Sequence, residues 1–468
     1  MKWLVLALAA AAGLTACAPA IRYHPEPIAP AQTAARLESR SLSDAGVRRF
    51  IQMNLHENLS AWPPRSWDLQ MLALAAVYYS PELEQARAQV EAAKAAQVTA
   101  DERPNPTFRL QPGVPSPYLL GLDMLFTIQT AGKRKIRLEQ AKDLTVAAQM
   151  DLAQAAWKVR SNVRAALVDY FMATHQLDLL HAEHGLETRR VALLQRRLVA
   201  GETPRPTVDS ARLSLLQTQV AIQAAEGRIP ETRAALAAAV GVPVAALADA
   251  KIVWPEFELP PKAASFSTQA IQREAVLNRL DVRRALAAYT ATQAALQLEI
   301  ARQHPDFQLG PGYDFEEGHN YFTLGYLVTL PVFNRNQGPI AQAEAQRKAA
   351  AAAFLATQAN AIAQSEEALA RYGGALRELD GTEQALRQLE RVVVPTERRT
   401  VTAGESDQLA LNAVLLQRPA LAETWLSALG RAQSALGALE DAVERPLEPD
   451  EVVLPGPAGL HDPEKRVP

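Results

Sequence analysis

Apolar and polar residues alternate in four short segments of the chain, which form two pairs. In the second pair, every second residue is apolar from Phe307 to Phe315, apart from a Gly-Pro-Gly interruption, and from Phe322 to Leu330. The first pair has the same period from Phe108 to Gln111 and from Leu120 to Gln129. A period of two predicts β-strands with one apolar and one polar face. We predict strands at about 106–112, 119–129, 305–315 and 321–331.

Long helical patterns occupy most of the remaining chain. No proline occurs between Pro117 and Pro204, so a helix of about 67 residues, roughly 100 Å long, can run from Lys133 to Val199. A second long helix is predicted to begin near Pro339 and to bend near Pro395. The other helices are predicted over about 69–103 and 267–302 and, after short turns, up to about 240 and 443.

The chain is internally duplicated. Residues 81–113 align without a gap on residues 280–312, at an offset of 199, and the triplet Ala-Gly-Glu occurs at both 200–202 and 403–405. The sequence therefore predicts two similar halves, 61–260 and 261–445, each with a helix, two strands and a long helical hairpin. Helices of this length expose apolar stripes that one chain cannot cover, which favours assembly with further copies.

The two-faced strands leave two interpretations open. Segments of about ten residues with one apolar face are typical of strands in outer-membrane barrels. A soluble antiparallel sheet that lies on a helix has the same period. Four strands are too few to close a barrel, for which about eight are needed, so a membrane-spanning sheet would require several copies of the chain.

Composition narrows the class of protein. Among 468 residues the formal net charge is −3, which argues against nucleic acid as a partner. Aromatic residues make up only 6%, as expected for a protein of long helices. No run of about 20 apolar residues follows the N-terminus, so no transmembrane helix is predicted.

The N-terminus has the features of an export signal. A positive charge at Lys2 precedes a short apolar stretch, and Leu14-Thr15-Ala16-Cys17 follows, with the only cysteine of the chain. This pattern is similar to the lipobox of bacterial lipoproteins and predicts a signal peptide at 1–16 and acylation of Cys17. The alternative is an ordinary secretory signal that is cleaved nearby. Residues 17–60 are interpreted as a lipid-anchored linker and periplasmic segment, and 446–468, rich in proline, as a disordered tail.

Nearly the whole mature chain resembles the TolC family of outer-membrane efflux channels. The residues that carry the resemblance are PNPTF at 104–108, AGKRKIR at 131–137, LPVFNRNQGPI at 330–340 and the paired AGE turns. The sequences of these motifs are most similar to those of the cobalt-zinc-cadmium resistance branch of the family. The resemblance implies a mainly α protein with a transmembrane β part, in which duplicated helical hairpins form a periplasmic tunnel. It also implies a homotrimer, with four strands from each protomer in a 12-stranded barrel.

The resemblance also implies the partners. They are a periplasmic adaptor protein, an inner-membrane pump of the RND type and outer-membrane lipid. The channel would be a passive conduit for metal cations or drugs, without cofactor, bound metal or enzymatic activity. The alternative function is a lipid-anchored periplasmic coiled-coil scaffold without a pore.

Two groups of residues are candidates for a role in such a channel. Three carboxylates would face the barrel lumen, where rings of negative charge favour cations: Asp123, Asp306 and Asp314. The hairpin turns, with Gly201 and Gly404, would form the periplasmic tips, where ion pairs between protomers would hold the tunnel closed and the adaptor would bind. The charged candidates there are Arg197, Glu202, Arg205, Asp209, Arg399, Glu405 and Asp407. Ordinary solvated surface is the alternative for both groups.

Histidines and basic residues suggest two further sites that the spacing does not support. His175, His181 and His184 lack the four well-placed ligands of a closed zinc site. The basic segment from Gly132 to Arg137 lacks the spacing of a phosphate-binding loop, and we interpret it as an anchor at the membrane interface.

Overall fold

The computed structural model describes residues 23–56, 59, 61–113 and 119–448. Residues up to Arg40 belong to one compact unit and residues from Ser41 onward to a second, larger one. The first unit contains helix α1 (Pro30–Glu38). The predicted signal peptide, the predicted acylation site Cys17 and the C-terminal residues 449–468 lie outside the described residues.

The second unit begins with α2 (Ala45–Leu55), α3 (Leu69–Tyr79) and α4 (Pro81–Asp101). The prediction of a single helix over 69–103 was wrong, because the chain breaks at Ser80. The Ser80 hydroxyl accepts a hydrogen bond from the backbone N–H of Leu83, as the N-cap of α4. Pro81 follows at the first helical position, where its missing N–H costs nothing.

The first half continues with β1 (Thr107–Pro112), β2 (Leu119–Ile128), α5 (Lys133–Val199) and α6 (Arg205–Val240). Helix α5 is unbroken over 67 residues, as its sequence predicts. It packs against α4 near the strands and against α6 near the turn, so one long helix lies beside two shorter ones.

The second half repeats this order. It contains α7 (Thr268–Asn278), α8 (Leu280–Ala301), β3 (Phe307–Glu316), β4 (His319–Val328), α9 (Gln337–Gln388), α10 (Val394–Ala403) and α11 (Gln408–Val443). The helix predicted over 267–302 is also two helices, α7 and α8. A π-helical turn, Leu389–Val393, joins α9 to α10 just before Pro395. Because proline has no N–H and its ring crowds the carbonyl four residues earlier, the wider turn accommodates it.

The four strands form one antiparallel sheet in the order β1-β2-β3-β4, so β1 and β4 are its edges. Alternate positions of the ladder place the apolar residues on one face: Phe108, Leu110, Leu120, Leu122, Met124, Phe126, Ile128, Phe307, Leu309, Tyr313, Phe315, Phe322, Leu324, Tyr326 and Val328. The β2 and β3 backbones approach closely at Gly310, where a Cβ atom would lie 1.7 Å from the Met124 carbonyl oxygen.

A buried charge network lies between the two halves of the molecule. Arg160 and Arg164 of α5 hold Glu440 of α11, with nitrogen–oxygen distances of 2.9 and 3.1 Å. Arg164 also donates to the side-chain oxygen of Gln433, at 2.8 Å. All four side chains are almost fully buried. The carboxylate of Glu448 lies 3.6 Å from Arg164, so two carboxylates face the two guanidinium groups. The network therefore joins the first half to the second without leaving a buried charge uncompensated.

The helices have a fixed lateral order. Near the sheet α5 lies between α4 and α8, and α8 packs on α9. Toward the turns α5 lies between α6 and α11, and α11 packs on α9 and α10. Helices α4 and α6 therefore form one lateral edge of the protomer, and α9 and α10 form the other. No helix in the described part of the chain is long and apolar enough to cross a membrane.

Candidate functional site

The two helical hairpins end in glycine turns at the same level of the molecule. Gly201 has φ 74° and Gly404 has φ 80°, a left-handed conformation that glycine adopts without steric cost. An apolar cluster, which includes Leu194 and Val208, packs the first hairpin behind its turn, and Leu409 of the second hairpin packs against it. The two turns are therefore neighbours within one protomer.

Arg197 and Asp407 join the two turns directly. The Arg197 guanidinium donates a hydrogen bond to the carboxylate of Asp407. The same carboxylate caps α11 by accepting the backbone N–H groups of Leu409 and Ala410, each at 2.8 Å. The Ala410 N–H is the strongest influence that holds the pKa of Asp407 below its usual value, with the Leu409 N–H and Arg197 adding to it. The carboxylate is therefore ionised at neutral pH.

The remaining charged candidates make local contacts. Glu202 lies 3.9 Å from the Arg197 guanidinium, and Arg205 lies 3.9 Å from Asp209 one turn along α6. Arg399 donates to the carbonyl of Pro395 at 3.3 Å. The backbone N–H of Glu405 closes the second turn by donating to Thr400 at 2.9 Å. Of the seven charged candidates, the structure thus brings Arg197 and Asp407 together across the hairpins.

Sequence reasoning missed two polar contacts behind the turns. Arg189 donates to the side-chain oxygen of Gln408 at 2.9 Å, and the side-chain amide of Asn412 donates to the Leu186 carbonyl at 3.1 Å. Asn412 is only 1% exposed. A polar residue at a buried position of a helical seam fixes the register of the two helices, and its place in the apolar stripe of α11 was the available signal.

The three carboxylates predicted to face a lumen have different surroundings. Asp123 forms an ion pair with Arg109 of β1 at 2.6 Å. Asp306 is 2.7 Å from the ammonium group of Lys133 and also accepts the backbone N–H of Thr130 at 2.8 Å. Asp314 has no basic side chain within 4 Å in the part of the chain that the structure describes. Asp123 and Asp314 share the polar face of the sheet. Asp306 lies at a corner, the junction between the sheet and the long helix, where it links the second half of the chain to the first.

Lys133 was predicted to be part of a basic anchor at the membrane interface, but its side chain is buried in this corner. Its neighbour Arg134 is also used internally, since it binds the Asp101 carboxylate at 2.7 Å. The sequence repeat predicted that each half has such a junction between a strand and a long helix. The pairing of Lys133 with Asp306 was not, because the two residues are 173 positions apart.

The histidines stand apart from one another. His175 lies 3.3 Å from the carboxylate of Glu258, and His184 is 3.4 Å from the side-chain amide of Gln219. Burial raises the pKa of Glu183, with Glu187 and Glu423 adding to the effect. No group of three or more metal-ligating side chains is found in the residues that the structure covers.

With this geometry established, the chain can be compared with known proteins. The family model described as outer membrane efflux protein matches residues 75–242, which include both strands of the first half and its helical hairpin. The chain carries an outer membrane efflux protein domain. This efflux domain spans α5, the helix that contacts both halves of the molecule.

Individual proteins that are similar to this chain extend the comparison beyond the residues matched by the family model. The cobalt-zinc-cadmium resistance protein CzcC of Cupriavidus metallidurans is 26% identical over 237 residues, 50% of this chain and 55% of CzcC. The chain thus spans about half the length of this curated relative. Crystal structures of CusC, which concern folding and transmembrane channel formation, align with TM-score 0.64 and 18% identity, over 91% of this chain and 99% of CusC. The outer membrane protein VceC of Vibrio cholerae aligns with TM-score 0.63 and 19% identity, over 81% and 97%.

The chain shares its fold with these structures, both within the efflux domain and beyond it. The predicted fold class, duplicated helical hairpins with a small sheet, is confirmed. The predicted family resemblance is confirmed as well.

Proposed function

We propose that this chain is the outer-membrane channel of a tripartite efflux system, a passive conduit located in the outer membrane with its helices in the periplasm. The observation that carries the proposal is a sheet with one exposed apolar face and two edges, at the end of a long helical bundle. Phe322 and Leu324 of this face are 88% and 72% exposed. A face of this kind requires lipid or another apolar surface to cover it.

The sheet edges require further copies of the chain. Edge strands β1 and β4 present backbone N–H and C=O groups that must be satisfied inside a bilayer. Pairing of β4 in one copy with β1 in the next supplies those partners, and three copies contribute twelve strands. This is the arrangement that the resemblance to efflux channels implies.

The two lateral edges of the helical bundle also expose apolar residues that a neighbouring copy can cover. On α6, the edge helix of the first hairpin, Leu213, Leu216 and Val220 are exposed at helical spacing. On the opposite edge, Val392 is 47% exposed. Leu213 and Val392 each lie twelve residues from their turn glycine, about 18 Å along a helix, and so at the same level. A ring of copies covers both apolar surfaces.

The two turns are the proposed contact with a periplasmic adaptor, and the adaptor connects the channel to an inner-membrane pump that supplies the energy. The gate is formed at the turns by the contact between Arg197 and Asp407, the charged candidates that meet across the two hairpins. The acylated Cys17 holds each protomer at the membrane.

The name of the relative CzcC indicates cobalt, zinc and cadmium ions as one substrate class, and drugs are the other.

Planar-bilayer recording of the purified protein tests the proposal. Discrete conductance steps are expected. A scaffold without a pore, the alternative function, gives none at any voltage.

A matched pair of variants tests the assignment of the two faces. Leu324→Arg places a charge on the apolar face, where near the bilayer midplane it costs about 2–4 kcal/mol, and channel insertion is expected to fall. Thr323→Arg, on the polar face, is expected to insert and to change conductance. Equal loss of insertion in both variants contradicts a lipid-facing sheet.

A further inference from the structure

We propose a specific register for the contact between copies: Leu330 of one protomer lies opposite Leu110 of the next, and Val332 lies opposite Phe108. This inference rests on the proposed ring of copies and goes beyond it, because it states which residues meet. It extends β4 past Val328, the last residue of that strand in the protomer. In the protomer the Val332 N–H donates to the Leu330 carbonyl at 2.9 Å around Pro331, so the proposed register requires this turn to open when the copies pair.

The structure gives the equivalence between the two halves. Phe108 lies opposite Met124 in the first strand pair, and Phe307 lies opposite Val328 in the second. Positions of β1 and β3 therefore correspond at an offset of 199, as in the sequence repeat, and those of β2 and β4 at an offset of 204. The helix starts agree with the second offset, since the caps Gly132 and Asn336 have φ of 68° and 64°.

The contact between β2 and β3 is the template for the contact between copies, because it joins the first half to the second. In that contact Phe126 lies opposite Leu309 and Ile128 opposite Phe307. At the offset of 204, Phe126 corresponds to Leu330 and Ile128 to Val332. At the offset of 199, Leu309 corresponds to Leu110 and Phe307 to Phe108. These correspondences give the proposed pairs.

The chemistry of the four residues fits this register. All are apolar and between 51% and 70% exposed in the protomer: Phe108, Leu110, Leu330 and Val332. Phe108 and Leu110 belong to the apolar face, and Leu330 and Val332 continue the period of two from Val328. Pairing therefore joins the apolar faces of adjacent copies into one surface. A slip of one residue would bring Leu330 opposite Arg109 or Gln111 and turn the apolar side chains to opposite faces.

The neighbouring corner makes a further distinction between the two contacts. Within the chain, Lys133 and Asp306 form the ion pair that ties the halves together. The same offsets place Gln337 at the position of Lys133 and Thr107 at the position of Asp306. The corner between copies is therefore neutral where the corner within the chain is charged.

Cysteine cross-linking tests the register in the full-length protein in membranes. The variants are Leu330→Cys with Leu110→Cys, and Val332→Cys with Phe108→Cys, whose side chains are expected to be about 5 Å apart across the interface. Copper-phenanthroline oxidation is expected to produce cross-linked oligomers on non-reducing gels. The control pairs, Leu330→Cys with Phe108→Cys and Val332→Cys with Leu110→Cys, are displaced by two residues and are expected to cross-link several-fold less. Equal or stronger cross-linking of the control pairs overturns the proposal.

A gain-of-contact variant provides a second measurement. Gln337→Lys combined with Thr107→Asp recreates the corner ion pair between copies, and the oligomer is expected to resist dissociation by detergent at a higher temperature than with either single substitution. An unchanged dissociation temperature contradicts the proposed corner. The channel proposal fails separately: if conductance and intact oligomers persist while both tests give the opposite result, the register alone is wrong.

Discussion

Arg197, near the end of the first long helix, donates a hydrogen bond to Asp407, the cap of the last helix, and so joins the two turns of one chain. The sequence suggested ion pairs between protomers at this level. The pair within a protomer means that each copy holds its own two hairpins together. If the turns form the gate, as proposed, we expect opening to break this contact in each copy.

Loss of the Arg197 contact is expected to favour the open channel. An exposed ion pair contributes at most about 1 kcal/mol, so Arg197→Ala should shift the closed-to-open ratio by up to about fivefold per copy. Asp407→Asn should act in the same direction while it still caps α11, because asparagine is also a good cap. Single-channel open probability is the measurement.

Arg205→Ala is the matched control, since its nearest acid, Asp209, is on the same helix. It should leave the open probability unchanged. An Arg197→Ala channel that gates like the unmodified protein would show that the contact is not part of a gate.

Asp314 is expected to influence ion selectivity more than the other two carboxylates. Asp123 is neutralised by Arg109 and Asp306 by Lys133, whereas Asp314 has no basic side chain within 4 Å among the described residues. Asp314→Asn should therefore move the reversal potential in a KCl gradient toward lower cation preference. Asp306→Asn, the control, should weaken the corner with little change in selectivity. The opposite order would mean that Asp306 faces the permeating ions.

Removal of the buried charge of Glu440 is expected to destabilise the bundle strongly. Glu440→Gln removes the carboxylate that both buried guanidinium groups contact, at 2.9 Å from Arg160 and 3.1 Å from Arg164. The loss of one partner of a buried ion pair typically costs about 3–5 kcal/mol. Guanidinium unfolding in detergent, followed by circular dichroism, gives the change in midpoint. Glu378→Gln breaks the exposed pair with Arg431 and should cost less than about 1 kcal/mol. Similar losses in both variants would contradict a structural role for the network.

Stability is expected to depend on pH through Glu444 near the end of α11. Burial raises the pKa of Glu444 from 4.5 to about 7; the Leu280 N–H opposes the shift and Asp281 adds to it. Because the folded-state pKa is raised, the stabilising effect is complete below about pH 4.5 and is lost as the pH rises through 7. The free energy of unfolding should fall across this window by up to about 1.4 kcal/mol per pH unit from this group.

Glu444→Gln should remove this part of the pH dependence, since the amide does not titrate. Thermal unfolding at several pH values compares the two proteins. Parallel pH profiles would show that Glu444 is not the responsible group, and the nearby Asp281 and Asp441 would then be examined in the same way.

The helices and strands could be predicted because they depend on neighbours close in sequence. The period of two in the strands and the absence of proline over α5 are local properties. The breaks at Ser80 and Arg279 escaped this reasoning, because the helical patterns continue across both positions. At Ser80 the cap and the following proline were visible signals. At Arg279 the side chain instead binds Asp281 at 2.7 Å and the carbonyl of Ala442, far along the chain.

The duplicated plan, the two-faced strands and the long helices were determined by the sequence alone, since hydrophobic period and repeat are properties of residue order. Only the tertiary structure decided which charges meet. Arg197 and Asp407 are 210 residues apart, and Arg160 and Glu440 are 280 apart. No local pattern specifies such partners, because they depend on how α5 and α11 pack against each other. In the sheet, Asp123 is paired with Arg109, whereas Asp314 has no basic side chain within 4 Å among the described residues.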